Sequence, residues 1–169
     1  RSRGLNLVDA EGRIEALSGL PRVSQNGQGG LLDVALHPEF GDGEHDWIYF
    51  TWSKPEGSQS RSALSRVKWQ DDALGDVEHL FEQDRASSPG RHYGSRLAWL
   101  KDGTLLMSIG DRSVDPSRAQ ARDDHAGSTL RLTETGDVPD DNPFVGDDDT
   151  LDEIYTLGNR NIQGMTVLS

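Results

Sequence analysis

Three segments of this chain share one layout, in which polar loop residues are followed by a glycine and then by the start of an apolar strand. They cover residues 26–34, 90–99 and 159–167. Their glycines, Gly29, Gly94 and Gly164, lie roughly 65 to 70 residues apart, a spacing typical of repeated sheets around an axis. The polar residues before the strands are Gln28, His92, Arg160 and Asn161. We expect all of them at one end of the axis, where three distant stretches would build one site.

The rest of the chain has the pattern of short strands separated by turns. The predicted strands cover residues 5–8, 14–17, 31–36, 47–52, 62–69, 77–81, 97–100, 104–109, 129–132, 154–157 and 165–168. Only residues 116–124 have the composition of a short helical turn. About eleven strands at this spacing indicate an all-β sandwich, barrel or propeller. A long period with four strands in each repeat favours the propeller.

The length of the chain limits the number of propeller blades that it can form. At about 65–70 residues per blade, the 169 residues supply roughly two and a half blades, whereas closed propellers have about 4–8. Open sheet edges would remain, and such edges tend to pair and aggregate. We therefore expect residues 1–169 to be one partial propeller domain, incomplete at both ends, of a chain about twice as long.

Composition excludes several classes of function. The net charge is −12, which argues against nucleic acid or an anionic membrane as a partner, because both bind basic patches. There is no apolar run of about 18 residues, so no membrane insertion is expected. The chain has no cysteine, which rules out disulfides, thiolate zinc sites and cysteine nucleophiles.

Six motifs follow one another along almost the whole chain. They read GQGGLLDVALHPEF at 27–40, HYGSRL at 92–97, SIGD at 108–111, HAGSTLRL at 125–132, VPDDNPF at 138–144 and YTLGNRNIQGM at 155–165. The set resembles the signature of the soluble PQQ-dependent aldose and glucose dehydrogenases (PQQ, pyrroloquinoline quinone). This resemblance implies a six-bladed β-propeller that is periplasmic or secreted.

The resemblance also implies a reaction. Members of the family oxidise the anomeric carbon of an aldose to the lactone; hydride passes to a carbonyl of PQQ, and the electrons leave to an external acceptor. His92 falls at the position of the general base, and an imidazole, with an ordinary pKa of about 6.5, suits proton abstraction near neutral pH. On the residues alone, a structural histidine in a turn is the alternative.

Two further positions correspond to the cofactor. Arg160 and Asn161 match residues that contact the quinone, where negative charge develops as hydride is accepted and where a guanidinium is well suited. The alternative for Arg160 is an ion pair with Asp152 or Glu153.

Gln28 and Arg91 are the candidates for substrate binding. Gln28 matches the position that holds the anomeric hydroxyl, because an amide can both donate and accept there; the alternative is a turn residue that caps a strand. Arg91 is a departure, since the family carries Asp or Asn before the histidine. A cation there disfavours a second positive charge on the neighbouring imidazole. It also removes a group that could orient the sugar, so a changed substrate preference is expected.

The metal ligands are not assigned. Residues 147–153 carry enough carboxylates for calcium but lack the fixed spacing of a calcium loop, and a solvated acidic loop is the simpler interpretation. The family's calcium ligands and the basic residues that clamp the PQQ carboxylates are expected beyond Ser169. His125 matches a family position, and a structural role is expected for it.

Two other functions stay open at this point. The first is a related propeller without cofactor that binds carbohydrate or protein. The second is a calcium-dependent lactone or ester hydrolase, since propellers also host such chemistry. Gln28, His92 and Arg160 are poor ligands for a hard metal ion, which disfavours the hydrolase.

Overall fold

The computed structural model describes residues 4–88 and 90–168, which form ten strands and one short 3₁₀ helix. The strands are β1 (Asn6–Val8), β2 (Ile14–Ala16), β3 (Leu31–Leu36), β4 (Trp47–Glu56), β5 (Gln59–Gln70), β6 (Ala73–Glu82), β7 (Gly94–Trp99), β8 (Leu105–Ile109), β9 (Thr129–Leu132) and β10 (Ile154–Thr156). The 3₁₀ helix covers Pro116–Gln120. In this part of the chain, no helix is long and apolar enough to cross a membrane.

The strands form one hairpin and two four-stranded sheets. β1 and β2 pair as the predicted antiparallel hairpin. The first sheet has the order β3-β4-β5-β6 and the second β7-β8-β9-β10, and every neighbouring pair is antiparallel. Two sheets of four strands in sequence order are the repeat that the sequence predicts.

The first sheet is buried on both faces because β4 and β5 are apolar on both. Tyr49 and Leu64 belong to the core shared with the second sheet. Phe50 and Val67 belong to a second core on the opposite face. This alternation follows from the two-residue period of a strand.

The innermost strands of the two sheets are joined by one carboxylate. Asp33 on β3 accepts the backbone N–H of Leu97 on β7 at 2.9 Å, and its other oxygen lies 3.3 Å from Arg96. The two sheets therefore meet side by side at their inner strands, and the loops before β3 and β7 lie close together.

Most strand predictions are confirmed, but one is wrong. Residues 165–168 form no strand, because no described residue pairs with them and a strand needs a hydrogen-bonded neighbour. The predicted helical turn is the 3₁₀ helix, in which the Asp115 side chain accepts the backbone N–H of Ser117.

His125 joins the two sheets through a buried charge cluster. Its Nδ1 lies 2.9 Å from the Asp84 carboxylate and its Nε2 lies 2.6 Å from the Glu153 carboxylate. Burial by itself lowers the pKa of His125, but the hydrogen bonds that its ring donates to the Asp84 and Glu153 carboxylates outweigh this effect and raise the pKa. The same contacts hold the pKa of Glu153 below its ordinary value, and that of Asp84 as well, against the opposing effect of burial. The geometry supports the structural role expected for His125.

This cluster predicts a pH window for stability. The His125 contribution is complete below the ordinary pKa of 6.5 and is lost as pH rises through the raised value. The Asp84 and Glu153 contributions are complete above 3.8 and 4.5 and are lost as pH falls through the lowered values. His125→Gln is therefore expected to reduce the free energy of unfolding by about 3 kcal/mol, most strongly between pH 4.5 and 6.5.

Denaturant unfolding across a pH series measures this difference. His79→Gln on the exposed side of β6 is the control, and its effect should stay within about 0.5 kcal/mol at every pH. A His125→Gln effect that does not change with pH would show that the imidazole is not held as a cation.

Candidate active site

Four loops converge where β3 and β7 begin and where β8 ends. They are residues 26–28, 90–93, 110–113 and 159–161. Their backbones touch at glycines: a Cβ on Gly27 would lie 2.2 Å from the Gly90 carbonyl oxygen, and one on Gly110 would lie 2.1 Å from that of His92. Glycine is required at both places because no side chain fits between the two backbones.

Gly110 offers a direct test of this packing. Alanine there should move the 90–93 loop and reduce the free energy of unfolding by about 1–3 kcal/mol, the usual cost of overpacking. Gly75→Ala on β6 is the matched control, since its Cβ would meet its nearest atom at 3.4 Å. Equal unfolding midpoints for the two variants would contradict the described loop packing.

His92 is held from both sides. Its backbone N–H donates to Gln28 Oε1 at 2.8 Å, and its Nδ1 lies 2.7 Å from Asp111 Oδ1. The side chains of His92 and Asp111 are 13% and 9% exposed. The backbone N–H of Ser113 donates to the same Asp111 oxygen at 2.8 Å. The imidazole is therefore oriented by a carboxylate that is itself fixed.

This contact determines the tautomer of His92. An ionised carboxylate only accepts hydrogen bonds, so the proton of a neutral imidazole lies on Nδ1. Nε2 then carries the lone pair and is the atom that can take a proton. A histidine oriented by a carboxylate in this way is an arrangement used for general base catalysis.

Asn161 and Arg160 belong to the fourth loop, residues 159–161, which contacts the other loops of the site. Asn161 Oδ1 accepts the backbone N–H of Gly94 at 3.0 Å and Gln163 Nε2 at 3.1 Å, which leaves its NH₂ group as a donor. The Arg160 carbonyl accepts the backbone N–H of Asp111 at 2.8 Å. Its side chain is exposed and forms no ion pair with any described residue, Asp152 and Glu153 included.

Gln28 and Arg91 differ in their surroundings. The side-chain oxygen of Gln28, Oε1, accepts the backbone N–H of His92, so the side-chain NH₂ group of Gln28 remains to bind a ligand. Gln28 also lines a groove of about 310 Å³ together with Leu31, Leu32, Tyr93, Gly94, Arg96 and Gln163. The Arg91 side chain is exposed and does not line this groove.

Asp111 is the functional candidate that residue-level reasoning did not single out. It is the last residue of the SIGD motif, two residues after the end of the buried strand β8. A Gly-Asp pair that ends a buried strand is the signal that could have identified it. Its contact with His92 spans 19 residues and depends on the close approach of two loops.

Among the described residues, those of this site do not form a cluster of metal-ligating groups. Within the described ranges, Glu39, Asp42 and His45 are the group with ligand atoms close enough for an ion. The Asp42 carboxylate accepts the backbone N–H groups of Glu44 and His45 within one turn. The hydrogen bond from the His45 side chain lowers the pKa of Asp42 to about 2. The Asp147 carboxylate likewise accepts the Thr150 hydroxyl and the Asp149 backbone N–H within the acidic loop.

Comparison with known proteins identifies the family. The model of the glucose/sorbosone dehydrogenase family matches residues 1–169. The chain belongs to this family. It is 36% identical over 159 residues to an aldose sugar dehydrogenase of Escherichia coli (strain K12), with 93% of this chain and 42% of that protein covered.

Solved structures agree with this assignment. A glucose dehydrogenase superposes with a TM-score of 0.90 at 33% identity, covering 96% of this chain and 51% of that chain. The PQQ-bound aldose sugar dehydrogenase of Streptomyces coelicolor superposes with a TM-score of 0.77 at 28% identity, covering 92% and 44%. The predicted fold, an all-β partial propeller, is confirmed. The chain spans about two fifths of the length of the curated relatives that it matches, 40% of one and 42% of another.

Proposed function

We propose that the protein containing this chain oxidises the anomeric carbon of aldose sugars to lactones with PQQ as hydride acceptor. The observation that carries the proposal is a histidine whose Nδ1 lies 2.7 Å from the Asp111 carboxylate and whose backbone N–H is bound by Gln28. Arg160 and Asn161 lie on the loop that contacts Asp111 and Gly94 beside it. The family assignment and the name of the E. coli relative support the reaction class.

His92 is the proposed general base. Nε2 takes the proton of the anomeric hydroxyl, while Nδ1–H stays hydrogen-bonded to Asp111, whose charge stabilises the imidazolium that forms. As the C–O bond gains carbonyl character, the hydrogen on the same carbon can leave with its electron pair. When bound, PQQ supplies the acceptor for this hydride.

Arg160 and Asn161 fit the needs of a quinone. Negative charge develops on quinone oxygens during reduction, and a guanidinium and an amide NH₂ on adjacent residues are donors that stabilise such charge. Both groups have donor capacity that the described chain does not use. We propose that they bind the quinone edge, and that calcium and the carboxylate clamp of PQQ are provided by residues after Ser169.

Gln28 and Arg91 are the proposed substrate contacts. The Gln28 NH₂ group donates to the anomeric oxygen, and Arg91 shapes the preference among sugars. We further propose that residues 1–169 are one partial domain of an exported, periplasmic or secreted protein, which passes its electrons to an external acceptor.

A dye-linked oxidation assay on the full-length protein tests this function. Sugar-dependent dye reduction that requires added PQQ and calcium is the expected result across a panel of aldoses. Absence of dye reduction together with absence of a PQQ absorbance change would contradict it. That outcome would instead favour a cofactor-free propeller that binds carbohydrate or protein.

A further inference from the structure

Arg112, directly after Asp111, is a fully buried arginine at 0% exposure. Arginine is almost never completely buried, because removing its charge from water costs free energy. This burial lowers the pKa of the Arg112 guanidinium. The cost has to be offset by contacts that the guanidinium makes.

Two of its contacts fall on the residues that flank His92 in the chain, Arg91 and Tyr93. Arg112 Nε donates to the Arg91 carbonyl oxygen at 3.3 Å, and the guanidinium carbon lies 3.7 Å above the Tyr93 ring. Nη1 donates to the Ser60 carbonyl oxygen on β5 at 3.2 Å, and the Tyr93 hydroxyl lies 2.7 Å from Ser60 Oγ. One side chain thus ties residues 91 and 93 to the neighbouring sheet.

The backbone around His92 needs such support. His92, Ser95, Arg112 and Ser113 have φ angles of 54°, 67°, 58° and 53°. Side-chain-bearing residues rarely adopt this left-handed region, and they persist there only where surrounding contacts over-determine the conformation. Three of them, His92, Arg112 and Ser113, lie in the two loops that form the His92–Asp111 pair, and Ser95 lies at the start of β7, which follows the first of these loops.

We propose that Arg112 is a positioning residue, which holds the 91–93 backbone so that the His92 ring stays against Asp111. It touches neither sugar nor cofactor in this role. The consequence for turnover rests on the proposed function, whereas the consequence for the His92–Asp111 hydrogen bond does not.

Arg112→Met in the full-length protein is the test, because methionine keeps much of the length but removes the donors and the charge. The first readout is the low-field NMR signal of His92 Nδ1–H in protein with ¹⁵N-labelled histidine, identified by its loss in His92→Ala. We expect the signal to disappear in Arg112→Met. With PQQ bound, kcat should fall about 100-fold with little change in KM, since displacement of a catalytic group by about 1 Å has effects of that size.

Arg66→Met is the matched control. Arg66 is 11% exposed and stacks 4.0 Å above the Trp47 ring, and its contacts are with β4, β6 and the Glu134 carbonyl oxygen, none of which belongs to the site. The Arg66→Met variant should have a lower unfolding temperature but the same His92 signal and the same kcat as the wild type. If Arg112→Met does not fold, Arg112→Lys replaces it, and the expected loss of the fork-shaped contact weakens the signal and lowers kcat about tenfold.

The outcomes separate the two proposals. A folded variant that keeps the His92 signal and turns over at the wild-type rate would overturn the role of Arg112. A change in kcat matched by Arg66→Met would also overturn it, because the effect would then be one of stability alone. If the wild type oxidises no sugar, the proposed function fails, and the NMR signal still decides whether Arg112 positions His92.

Discussion

His92→Ala is expected to lower kcat for aldose oxidation by about 10²- to 10⁴-fold, the usual contribution of a general base. Proton removal from the anomeric hydroxyl would then depend on water. PQQ affinity should change little, because Arg160 and Asn161, the proposed quinone contacts, lie on another loop. Steady-state dye reduction gives kcat, and titration with PQQ followed by absorbance gives the affinity.

The control for this variant is His79→Ala. His79 is an exposed residue of β6, where its Nδ1 lies 3.0 Å from the Ser65 hydroxyl and its ring centroid lies 5.8 Å from that of Trp52. It should keep the wild-type kcat. Retention of more than about a tenth of the activity by His92→Ala would show that His92 is a structural turn histidine, the alternative left open by the residues alone.

Asp111→Asn is expected to lower kcat by about 10²- to 10⁴-fold while the fold stays intact. The side chain keeps its shape, but an amide can present an N–H group to His92 and so favour the tautomer whose proton lies on Nε2. A base in the wrong tautomer cannot accept the proton of the substrate, and the equivalent change in serine proteases costs about 10⁴-fold.

The comparison for this prediction is Asp115→Asn. Asp115 is four residues away and caps the 3₁₀ helix through the Ser117 backbone N–H. It is expected to affect stability slightly and kcat not at all. Equal activities for Asp111→Asn and Asp115→Asn, each with an unchanged unfolding temperature, would contradict the orienting role of Asp111.

Repetition in the sequence predicted the parts of the fold that depend on local pattern. The spacing of Gly29, Gly94 and Gly164 indicated repeated sheets, and the two complete sheets between them agree. The prediction of a strand at 165–168 was wrong because strand formation depends on a hydrogen-bonded neighbouring strand as well as on composition. The local sequence pattern does not show whether a neighbouring strand is present to pair with these residues.

Some residues of the site could likewise be predicted from the sequence, whereas others depend on tertiary contacts. The motifs placed Gln28, His92, Arg160 and Asn161 on loops at one end, and hydrogen bonds between these loops agree with that placement. The pairing of His92 with Asp111 could not be predicted from composition, because it depends on the passage of Gly110 against the His92 carbonyl. The role of Arg112 could not be predicted from the sequence for a different reason. A charged residue in a polar loop has the pattern of a surface position, and only tertiary contacts show that it is buried.

The most direct measurement is a crystal structure of the full-length protein with PQQ, calcium and a bound aldose. We predict that His92 Nε2 lies about 2.6–3.2 Å from the anomeric hydroxyl, that Arg160 and Asn161 contact the quinone oxygens, and that His92 Nδ1 remains hydrogen-bonded to Asp111. A sugar bound away from His92, or a His92 ring turned off Asp111 in the complex, would contradict this prediction.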